Sequence, residues 1–319
     1  MKKSVTILML GGAKRVSMAE QLIRAGEEMD IDVRIYSHEL DRCEPIASVG
    51  KIIIGGKYSE EGVIGEINDI IKSHKVDILL PFIDPAIEVA AECKKRYPNL
   101  CVPVSSQEIV KILFDKVQSA KKFEEEGLPI PKTYTPETVE YPAILKPRTG
   151  SASKGIIVAA NKEEFDNIEN LGNYLIQEYI ADREEYTIDC YIGVADKEIK
   201  CIVPRIRLAT AGGEVIRTQT CRIPRLIALS EKTLKALNLL GAVTLQFIYD
   251  KNNQRFLLME INPRLGGGVI CSIKAGADIA KMIIQESQGE KIRQANVWRD
   301  GTLMTRYFKE VMFYNDGIK

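Results

Sequence analysis

Hydrophobic and polar positions follow two alternating patterns over roughly the first hundred residues. Short apolar runs that are rich in β-branched residues predict strands, and segments with apolar residues at helical spacing predict helices between them. The predicted strands are residues 4–10, 32–36, 51–54 and 76–80. The predicted helices are residues 17–28, 59–74 and 85–96. This alternation indicates an α/β domain with a parallel, doubly wound sheet, whose ligands bind beyond the carboxyl ends of the strands.

The rest of the chain carries longer strand patterns and fewer helical ones, which is typical of an α+β arrangement. A short strand near residues 101–105 is predicted to end the first unit, and one helix with a serine cap is predicted to run from there toward Lys122. The later strands are residues 141–147, 156–158, 174–180, 186–191, 243–250 and 255–261, and the later helices are residues 231–240 and 272–288. We therefore predict one domain over residues 1–104 and another over residues 105–319.

Composition narrows the class of partner. The chain has 319 residues, and its 44 lysines and arginines balance 44 aspartates and glutamates. A balanced charge argues against nucleic acid or an anionic membrane as the main partner, so any anion site must be local. No apolar run approaches the roughly 20 residues that span a bilayer, which predicts a soluble protein. The seven cysteines show no Cys-x-x-Cys spacing, which predicts reduced thiols and a cytoplasmic location.

Several polar positions lie where the predicted parallel strands end. Gly11-Gly12 follows the first strand and either lets the backbone turn or lets a substrate anion approach backbone N–H groups. Asp84 follows the fourth strand and either caps the next helix or contacts substrate, and the cap is the favoured interpretation. The chain has only two histidines, which disfavours histidine-based catalysis, although His38 follows the second strand and could reach a ligand.

Three lysines lie around the first strand that is predicted in the second domain. Lys146 lies inside an apolar strand, and an interior lysine is rarely buried without an anionic partner. The loop Gly150–Gly155 contains Ser153 and Lys154. This loop is either a plain β-turn or a small-residue loop that folds over phosphates with its backbone N–H groups. Lys116 lies on a helical turn and carries no signal by itself.

Acidic and basic side chains follow in the later strands. Glu178 lies near the end of one strand and Glu185 precedes the next, and both are candidates to accept hydrogen bonds from ribose hydroxyls. The linker between these strands offers backbone groups to a purine. Five arginines then either surround an anionic intermediate or lie on solvated strand faces. They are Arg205, Arg207, Arg217, Arg222 and Arg225.

An apolar strand near the end of the second domain leads into Glu260-x-Asn262-Pro-Arg264 and then into the glycine run Gly266–Gly268. Strand side chains repeat every two residues, so Glu260 and Asn262 point to the same face. Their oxygens suit a hard cation such as Mg²⁺ that bridges phosphates, and the guanidinium suits phosphate oxygens. The preceding strand is predicted to pair with this one as a hairpin, which brings Gln246 near Glu260.

This ordered series of lysines, small-residue loop, carboxylates and Asn-Pro-Arg resembles an ATP-grasp enzyme over about residues 106–290. It is similar to one synthetase half of the carbamoyl-phosphate synthase large subunit and to related stand-alone carboxylate–amine ligases. The resemblance implies a pre-ATP-grasp domain followed by a two-lobed ATP-grasp domain, with a mobile lid lobe over about residues 130–178. The segment Leu265-Gly266-Gly267-Gly268 departs from the synthetase pattern and is more similar to amino-acid ligases.

By the same resemblance, the lysines and the small-residue loop hold the phosphates of ATP. These residues are Lys116, Lys146, Ser153 and Lys154. Lys154 also acts in catalysis together with Arg264, which stabilises the transferred phosphoryl group. An attack of a carboxylate on a phosphoryl group brings two anions together, so positive charge and positioning matter more than proton transfer.

The same resemblance gives the remaining nucleotide and metal contacts. The adenine and ribose contacts are Glu178, Tyr179, Ile180 and Glu185. The backbone of Glu178 and Ile180 is expected to contact adenine, with the carboxylate of Glu178 nearby, and Glu185 is expected to bind ribose. The ligands of Mg²⁺, or of Mn²⁺ in its place, are Gln246, Glu260 and Asn262. An amide at position 246 lowers the local negative charge and leaves open whether one or two metal ions bind.

The predicted activity is that of a ligase that uses ATP to convert a carboxylate into an acyl phosphate and joins it to an amine, with release of ADP and phosphate. Its small-molecule substrates are expected between the strand ends of the first domain and the arginine-rich strands. The expected substrate residues are Gly12, Asp84, Arg217 and Gly267. Two alternatives stay open: a carbamoyl-phosphate-synthase-like subunit that works with partner chains, and a non-catalytic ATP-binding sensor. The acid, the amine and any homo-oligomer are not specified by the sequence.

Overall fold

A computed structural model describes residues 3–150 and 154–314 of the chain. The strands are β1 (Lys3–Leu10), β2 (Ile31–Glu39), β3 (Lys51–Ile54), β4 (Ile78–Pro81), β5 (Thr133–Tyr134), β6 (Ala143–Pro147), β7 (Ile157–Ala159), β8 (Tyr174–Glu178), β9 (Arg183–Ile192), β10 (Ile199–Ala211), β11 (Glu214–Thr220), β12 (Gly241–Asp250), β13 (Arg255–Asn262) and β14 (Leu303–Thr305). The α-helices are α1 (Val16–Glu28), α2 (Val63–His74), α3 (Asp84–Arg96), α4 (Gln107–Phe114), α5 (Lys116–Glu125), α6 (Lys162–Asp166), α7 (Pro224–Ala236), α8 (Val269–Lys274) and α9 (Ile279–Ser287). Within the two described ranges, none of the helices combines the length and apolar character that a bilayer crossing requires.

The first sheet, called the parallel sheet below, has the strand order β3-β2-β1-β4. Side chains of β1 alternate between two apolar cores. Val5, Ile7 and Met9 pack in the core that contains α1 and α9, whereas Leu8 and Leu10 pack in the core that contains α2 and α3. A parallel sheet with helices on both faces confirms the predicted doubly wound domain. Its strand order reverses between β1 and β4, which is where such sheets bind ligands.

The second sheet, called the large sheet, is antiparallel and has the order β13-β12-β9-β10-β11-β14. Strands β12 and β13 form the predicted hairpin, and Gln246 lies directly across from Glu260. Strand β12 starts against the linker that leaves the parallel sheet, because the N–H of Ala242 donates to the carbonyl of Pro103 at 2.9 Å. Gly241 has a φ of +72°, and a side chain there would collide with that same carbonyl.

The third sheet, called the small sheet, is antiparallel and has the order β5-β8-β6-β7. It has an apolar core of its own, which includes Tyr134, Leu145, Phe165 and Ile176. The small sheet lies inside the segment that was expected to form a lid, and a separate core is what a separate lobe requires. Its movement as a lid stays a prediction.

Two helices that were expected to be continuous are interrupted. The helix expected to run to Lys122 is split into α4 and α5 at Asp115, whose side chain caps α5 by accepting from two backbone N–H groups. The helix expected over residues 272–288 is split into α8 and α9, because Gly276 adopts a φ of +114° and Asp278 caps α9. In both cases a capping aspartate inside an apolar pattern starts a new helix.

Two further element boundaries were wrong. The strand expected near residues 101–105 is reduced to a single parallel bridge between Cys101 and Ile78. The helix expected over residues 231–240 is α7, which begins earlier, at Pro224, and ends at Ala236, and Asn238 then adopts a φ of +50° that ends helical geometry. Neither difference changes the arrangement of the three sheets.

Candidate active site

A cavity of about 650 Å³ lies between the three sheets. Ile83 and Asp84 line it from the end of the parallel sheet, and Ile144 and Lys146 line it from the small sheet. The floor is formed by residues of the large sheet and by the glycine run that follows β13. This is the place where the sequence predicted the substrate pocket, between the strand ends of the first domain and the arginine-rich strands.

Lys146 extends from β6 into the cavity wall and is only 8% exposed. Its Nζ donates to Oε1 of Gln177 on the neighbouring strand β8 at 2.9 Å. Burial lowers the pKa of Lys146 from 10.5 to about 8, although the carboxylate of Glu260 raises it. An amide oxygen does not neutralise an ammonium group, so the charge of this buried lysine would be stabilised by an anionic ligand in the cavity.

The break between α4 and α5 places Lys116 beside the loop that follows β6. Its Nζ donates to the carbonyl of Gly150 at 2.8 Å, and its peptide N–H donates to the carbonyl of Arg148 at 2.8 Å. The guanidinium of Arg148 in turn donates to the carboxylate of Asp115 at 2.5 Å. The start of α5 is therefore tied to the loop that was expected to cover phosphates.

The hairpin register places three oxygen-bearing side chains on the cavity floor. Gln246 and Glu260 are cross-strand partners, and Asn262 lies opposite Thr244. One carboxylate and two amides are hard oxygen donors, which fit a divalent cation that takes further ligands from phosphates. In the described ranges there is no group of three or more His, Cys, Asp or Glu residues that could hold a metal ion.

Arg264 follows β13 and connects the floor to the parallel sheet. Its Nε donates to Oδ1 of Asp84 at 3.2 Å, and its Nη2 donates to Oδ1 of Asn262 at 3.3 Å. The favoured interpretation of Asp84 as a helix cap is wrong, because α3 begins at Asp84 and no side chain caps it. The carboxylate instead orients the guanidinium at the edge of the cavity.

A second group of basic side chains surrounds the glycine run Gly266–Gly268. Arg15 reaches it from the start of α1, and Arg306 reaches it from the segment after β14. A Cβ on Gly267 would lie 2.9 Å from a guanidinium nitrogen of each arginine, so the glycine makes their approach possible. Arg306 also donates to the carbonyl of Gly267. The carboxylate of Glu214, at the start of β11, lies 3.9 Å from Arg15 and 2.9 Å from Arg306.

The charges around the cavity fall into two sets. Those that act on Lys146 come from Glu260, Lys116, Arg183 and Glu185. Those that act on Arg15 come from Glu214, Arg264 and Arg306. Lys146 and the hairpin residues lie on one side of the cavity, whereas Arg15 and Glu214 lie around the glycine run, so we distinguish two ends. We call the first the phosphate end, with Lys116, Lys146, Gln246, Glu260 and Asn262. We call the second the acid end, with Arg15, Glu214, Gly267 and Arg306.

A buried ion pair lies beneath the acid end. Arg205 on β10 is fully buried and binds Asp189 on β9 through hydrogen bonds of 2.7 and 3.0 Å. The hydroxyl of Ser272 donates to the same carboxylate at 2.5 Å. A side chain on Gly268 would collide with the guanidinium of Arg205. The pair therefore supports the glycine run from below, and Arg205 does not lie on a solvated strand face.

The other arginines of this region do not act as a set. Arg207 lines the cavity and lies 3.4 Å from Glu185, which Arg183 also approaches at 3.4 Å. Outside the cavity lie Arg217, Arg222 and Arg225. The interpretation of Arg217 as a substrate residue needs correction, because its side chain is exposed on β11 and does not reach the expected pocket.

Most of the residues predicted from the sequence meet at this cavity. Those that line it are Asp84, Lys116, Lys146, Lys154, Tyr179, Glu185, Gln246, Glu260, Asn262, Arg264 and Gly267. Those that do not line it are Gly12, Glu178, Ile180 and Arg217. Ser153 lies outside the described residues, so its expected phosphate contact stays a prediction.

The predicted site residues that do not line the cavity have other surroundings in the structure. The carboxylate of Glu178 accepts from Arg255 and from the N–H of Lys132, each at 2.8 Å. The backbone contacts of Glu178 and Ile180 with adenine stay predictions. Gly12 is buried, and a Cβ on it would lie 2.7 Å from the hydroxyl oxygen of Ser37, so this position is closely packed.

His38 does not line the cavity. It is buried on β2, with Nδ1 at 3.0 Å from the hydroxyl of Tyr58 and Nε2 at 3.3 Å from Glu66. Burial lowers the pKa of His38, although Glu66 raises it. These partners satisfy both ring nitrogens, which is typical of a structural histidine.

Local sequence patterns do not point to Arg183 or Arg306 as site residues. Arg15 lies in the turn Gly11–Arg15 after β1, where one wall of the pocket was expected, although only Gly12 of that turn was named as a substrate residue. Arg306 had no such signal, since it lies in a segment without periodicity. It does not line the cavity itself, but it contacts Gly267 and Glu214, which do, because β14 pairs with β11 from a distant part of the chain.

A parallel-sheet domain precedes two antiparallel sheets, and lysines face Glu-x-Asn-Pro-Arg across the cavity between them. This is the arrangement that the resemblance found in the sequence implied. Residues 170–310 match a family model described as "ATP-grasp in the biosynthetic pathway with Ter operon". The chain therefore contains an ATP-grasp domain, and the resemblance found in the sequence is confirmed.

The chain is homologous to biotin carboxylases and to carbamoyl phosphate synthase large chains. It is 24% identical over 324 residues to biotin carboxylase 1 of Bacillus subtilis (strain 168), which covers 88% of this chain and 70% of the relative. It is 24% identical over 269 residues to the carbamoyl phosphate synthase large chain of Thermoanaerobacter sp. (strain X514), which covers 74% of this chain. The match spans only 25% of that relative's length.

A solved structure with the same fold is the biotin carboxylase domain of the Hydrogenobacter thermophilus 2-oxoglutarate carboxylase, a dimer in complex with MgADP, ADP and bicarbonate. The TM-score is 0.74 at 18% sequence identity, and the match covers 93% of this chain and 73% of the other. This likeness confirms the fold, including the order of the parallel domain and the antiparallel sheets.

Proposed function

We propose that this protein is an ATP- and Mg²⁺-dependent ligase that activates a carboxylate as an acyl phosphate and joins it to an amine, with release of ADP and phosphate. One observation carries the proposal: the buried Lys146 lines the same cavity as Glu260, Asn262 and Arg264. The homology to ATP-grasp ligases supports the C–N bond-forming class.

In the first step, an oxygen of the substrate carboxylate bonds to the γ-phosphorus of ATP while the bond from that phosphorus to ADP breaks. Both reacting groups are anions, so the cations of the cavity reduce their repulsion. Lys116 and Lys146 bind the phosphates, and Arg264, oriented by Asp84, binds the transferred group. Mg²⁺, or Mn²⁺ in its place, supplies further neutralisation when it is bound on the cavity floor.

In the second step, the neutral amine attacks the acyl carbon, phosphate leaves with the electrons of the broken C–O bond, and the new amide releases a proton. Water competes with the amine for the acyl phosphate, so the cavity must limit its access. Ile144, Ile156 and Val158 of the small-sheet lobe supply an apolar wall of the cavity. Closure of this lobe over the nucleotide would shield the intermediate.

The release of ADP tests the proposal. The protein, ATP and Mg²⁺ are incubated with pooled carboxylic acids and pooled amino acids, and we expect ADP release that requires both pools. Glu260→Ala removes the carboxylate of the floor and is expected to slow release by about a hundredfold or more. Glu231→Ala, on the exposed face of α7 where Glu231 pairs with Lys235, is the matched control and keeps the original rate.

A second candidate function is favoured by the match to one quarter of a carbamoyl phosphate synthase large chain. In that case the chain works as a subunit with partner chains. Formation of carbamoyl phosphate from bicarbonate, ammonia and ATP, only after a partner is added, would support it. ATP binding without turnover across both pools would instead favour a non-catalytic sensor, although the presence of Glu260, Asn262 and Arg264 argues against this.

A further inference from the structure

Arg15 is the least satisfied cation at the acid end. Its side chain is only 18% exposed. Among the described residues its guanidinium has one ion pair, with Glu214 at 3.9 Å, and no side-chain hydrogen bond. Burial lowers the pKa of Arg15, Glu214 raises it, and Arg264 and Arg306 lower it further. A largely buried guanidinium requires an anion at hydrogen-bond distance, and the part of the chain that the structure describes does not supply one.

Glu214 shows that one carboxylate can bridge both guanidinium groups of the acid end. Its Oε1 faces Arg15 at 3.9 Å, and its Oε2 accepts from Arg306 at 2.9 Å. The residue follows Gly212-Gly213, which have φ values of +56° and +78°, and its side chain is 59% exposed. A carboxylate at the tip of a hairpin with a glycine turn is easily displaced, because an exposed ion pair contributes little stability.

The two arginines of the acid end accommodate one carboxylate between them. Arg15 and Arg306 share the single carboxylate of Glu214, whereas Arg264 has Asp84 to itself. A substrate carboxylate that takes the place of Glu214 keeps the same charge balance around Arg15 and Arg306. Arg264 also contacts Asn262 on the cavity floor, so the carboxylate that reacts with ATP belongs beside Arg264. The carboxylate that bridges the other two arginines is therefore a second one.

We propose that the acid substrate is a dicarboxylate whose second, unreacted carboxylate binds between Arg15 and Arg306 beside Gly267. This inference rests on the proposed ligase function and names the class of its acid substrate. Glu214 fills the subsite when the acid is absent and gives it up when the acid binds. A monocarboxylate leaves the two guanidinium groups without this contact, so the subsite selects for diacids.

Direct binding tests this subsite. The protein is saturated with a non-hydrolysable ATP analogue and Mg²⁺ and then titrated calorimetrically with diacids from malonate to adipate. Monoacids of equal chain length, from propionate to hexanoate, are titrated in parallel. We expect at least one diacid to bind about tenfold more tightly than its monoacid, because a carboxylate between two guanidinium groups forms charge-assisted hydrogen bonds.

The variants are expected to change diacid binding in opposite directions. Arg15→Met and Arg306→Met remove the preference for that diacid. Glu214→Gln removes the competing carboxylate and tightens diacid binding about two- to fivefold. A merely structural role of Glu214 would weaken binding instead. Arg293→Met, which removes an exposed guanidinium elsewhere, is the control and leaves both affinities unchanged.

The outcomes separate this inference from the proposed function. Equal binding of diacids and monoacids, binding of neither, or weaker diacid binding by Glu214→Gln overturns the inference. Tighter binding of 4-phosphonobutyrate than of glutarate overturns the choice of a carboxylate over a phosphate-like group. Melting and ATP-analogue titrations of Arg15→Met and Arg306→Met confirm folding. Failure of the unaltered protein to bind the ATP analogue overturns the ligase proposal itself.

Discussion

The phosphate end and the acid end of the cavity are built differently. Gln246, Glu260 and Asn262 lie on one hairpin, where strand register fixes their relation. Arg15 and Arg306 come from opposite ends of the chain and meet only because the glycine run lies between them. A site on a single element can be read from local spacing, whereas a site joined by distant segments depends on the packing of the whole molecule.

The two ends also differ in how they are prepared for a ligand. At the phosphate end, Lys146 has only an amide as its hydrogen-bond partner, and burial disfavours its charge. At the acid end, Glu214 already bridges the two arginines. The first end therefore gains most from binding an anion, and the second exchanges one carboxylate for another. Substitutions at the phosphate end can then alter the proposed reaction without altering the proposed selectivity for the acid, and substitutions at the acid end can do the reverse.

The largest expected effect is a loss of stability when the buried ion pair beneath the acid end is broken. Asp189→Asn leaves Arg205 buried without its anion, and we expect the free energy of unfolding to fall by about 3–5 kcal/mol. Denaturant titration measures the loss. Asp182→Asn, which breaks an exposed pair with Lys251, is the control and costs about 1 kcal/mol or less. If the affinity of Asp189→Asn for an ATP analogue falls in parallel with its stability, the two ends are not independent.

The next effect tests the phosphate end alone. Lys146→Met removes a buried charge, so we expect ATP-analogue affinity to weaken about 10–100-fold while stability is unchanged or rises. Calorimetry gives the affinity and thermal melting gives the stability. Lys132→Met, an exposed lysine of the same lobe that pairs with Glu140, leaves the affinity unchanged. A Lys146→Met variant that binds the analogue normally would separate this lysine from the nucleotide.

The smallest effect is a dependence of binding on pH. The pKa of Lys146 is lowered to about 8 in the folded protein, so this lysine loses its proton before its unfolded counterpart does. The cost of burying its charge is complete below pH 8 and is relieved as the pH rises toward the unfolded value. Phosphate binding needs the charged form, so we expect ATP-analogue affinity to fall about tenfold between pH 7 and pH 9.

Lys146→Arg distinguishes this titration from other causes. Arginine keeps its charge throughout the same range, so the affinity of this variant is expected to stay flat between pH 7 and pH 9. A slope as steep as that of the unaltered protein would assign the pH dependence to another group. The comparison is made by calorimetry at constant ionic strength, because salt also weakens phosphate contacts.

The fold followed from the sequence wherever one periodic pattern coincided with one element. The run at β1 and the hairpin of β12 and β13 are examples, and both lie within a residue or two of the expected bounds. The pattern failed where an aspartate could both continue an apolar helix and cap a new one, as at Asp115 and Asp278. Both alternatives satisfy the same spacing, and only tertiary packing decides between them.

The candidate site shows the same limit. Glu260, Asn262 and Arg264 were found because their chemistry is concentrated in a few consecutive residues. Arg217 was assigned to the pocket by its neighbourhood in sequence, yet its side chain is exposed. Arg306 was missed because nothing local distinguishes it from any solvated arginine. Its role depends on the pairing of β14 with β11.

The core beneath the parallel sheet bears on how this chain could be recombined with its relatives. Val5 and Ile7 of β1 share one apolar cluster with Tyr191, Val203 and Ile283, which belong to the second predicted domain. An N-terminal unit taken from another protein would therefore have to match a foreign interior and not only a foreign linker. The boundary near residue 104 stays a prediction, and an exchange of either part would have to preserve the side chains that the two parts bury together.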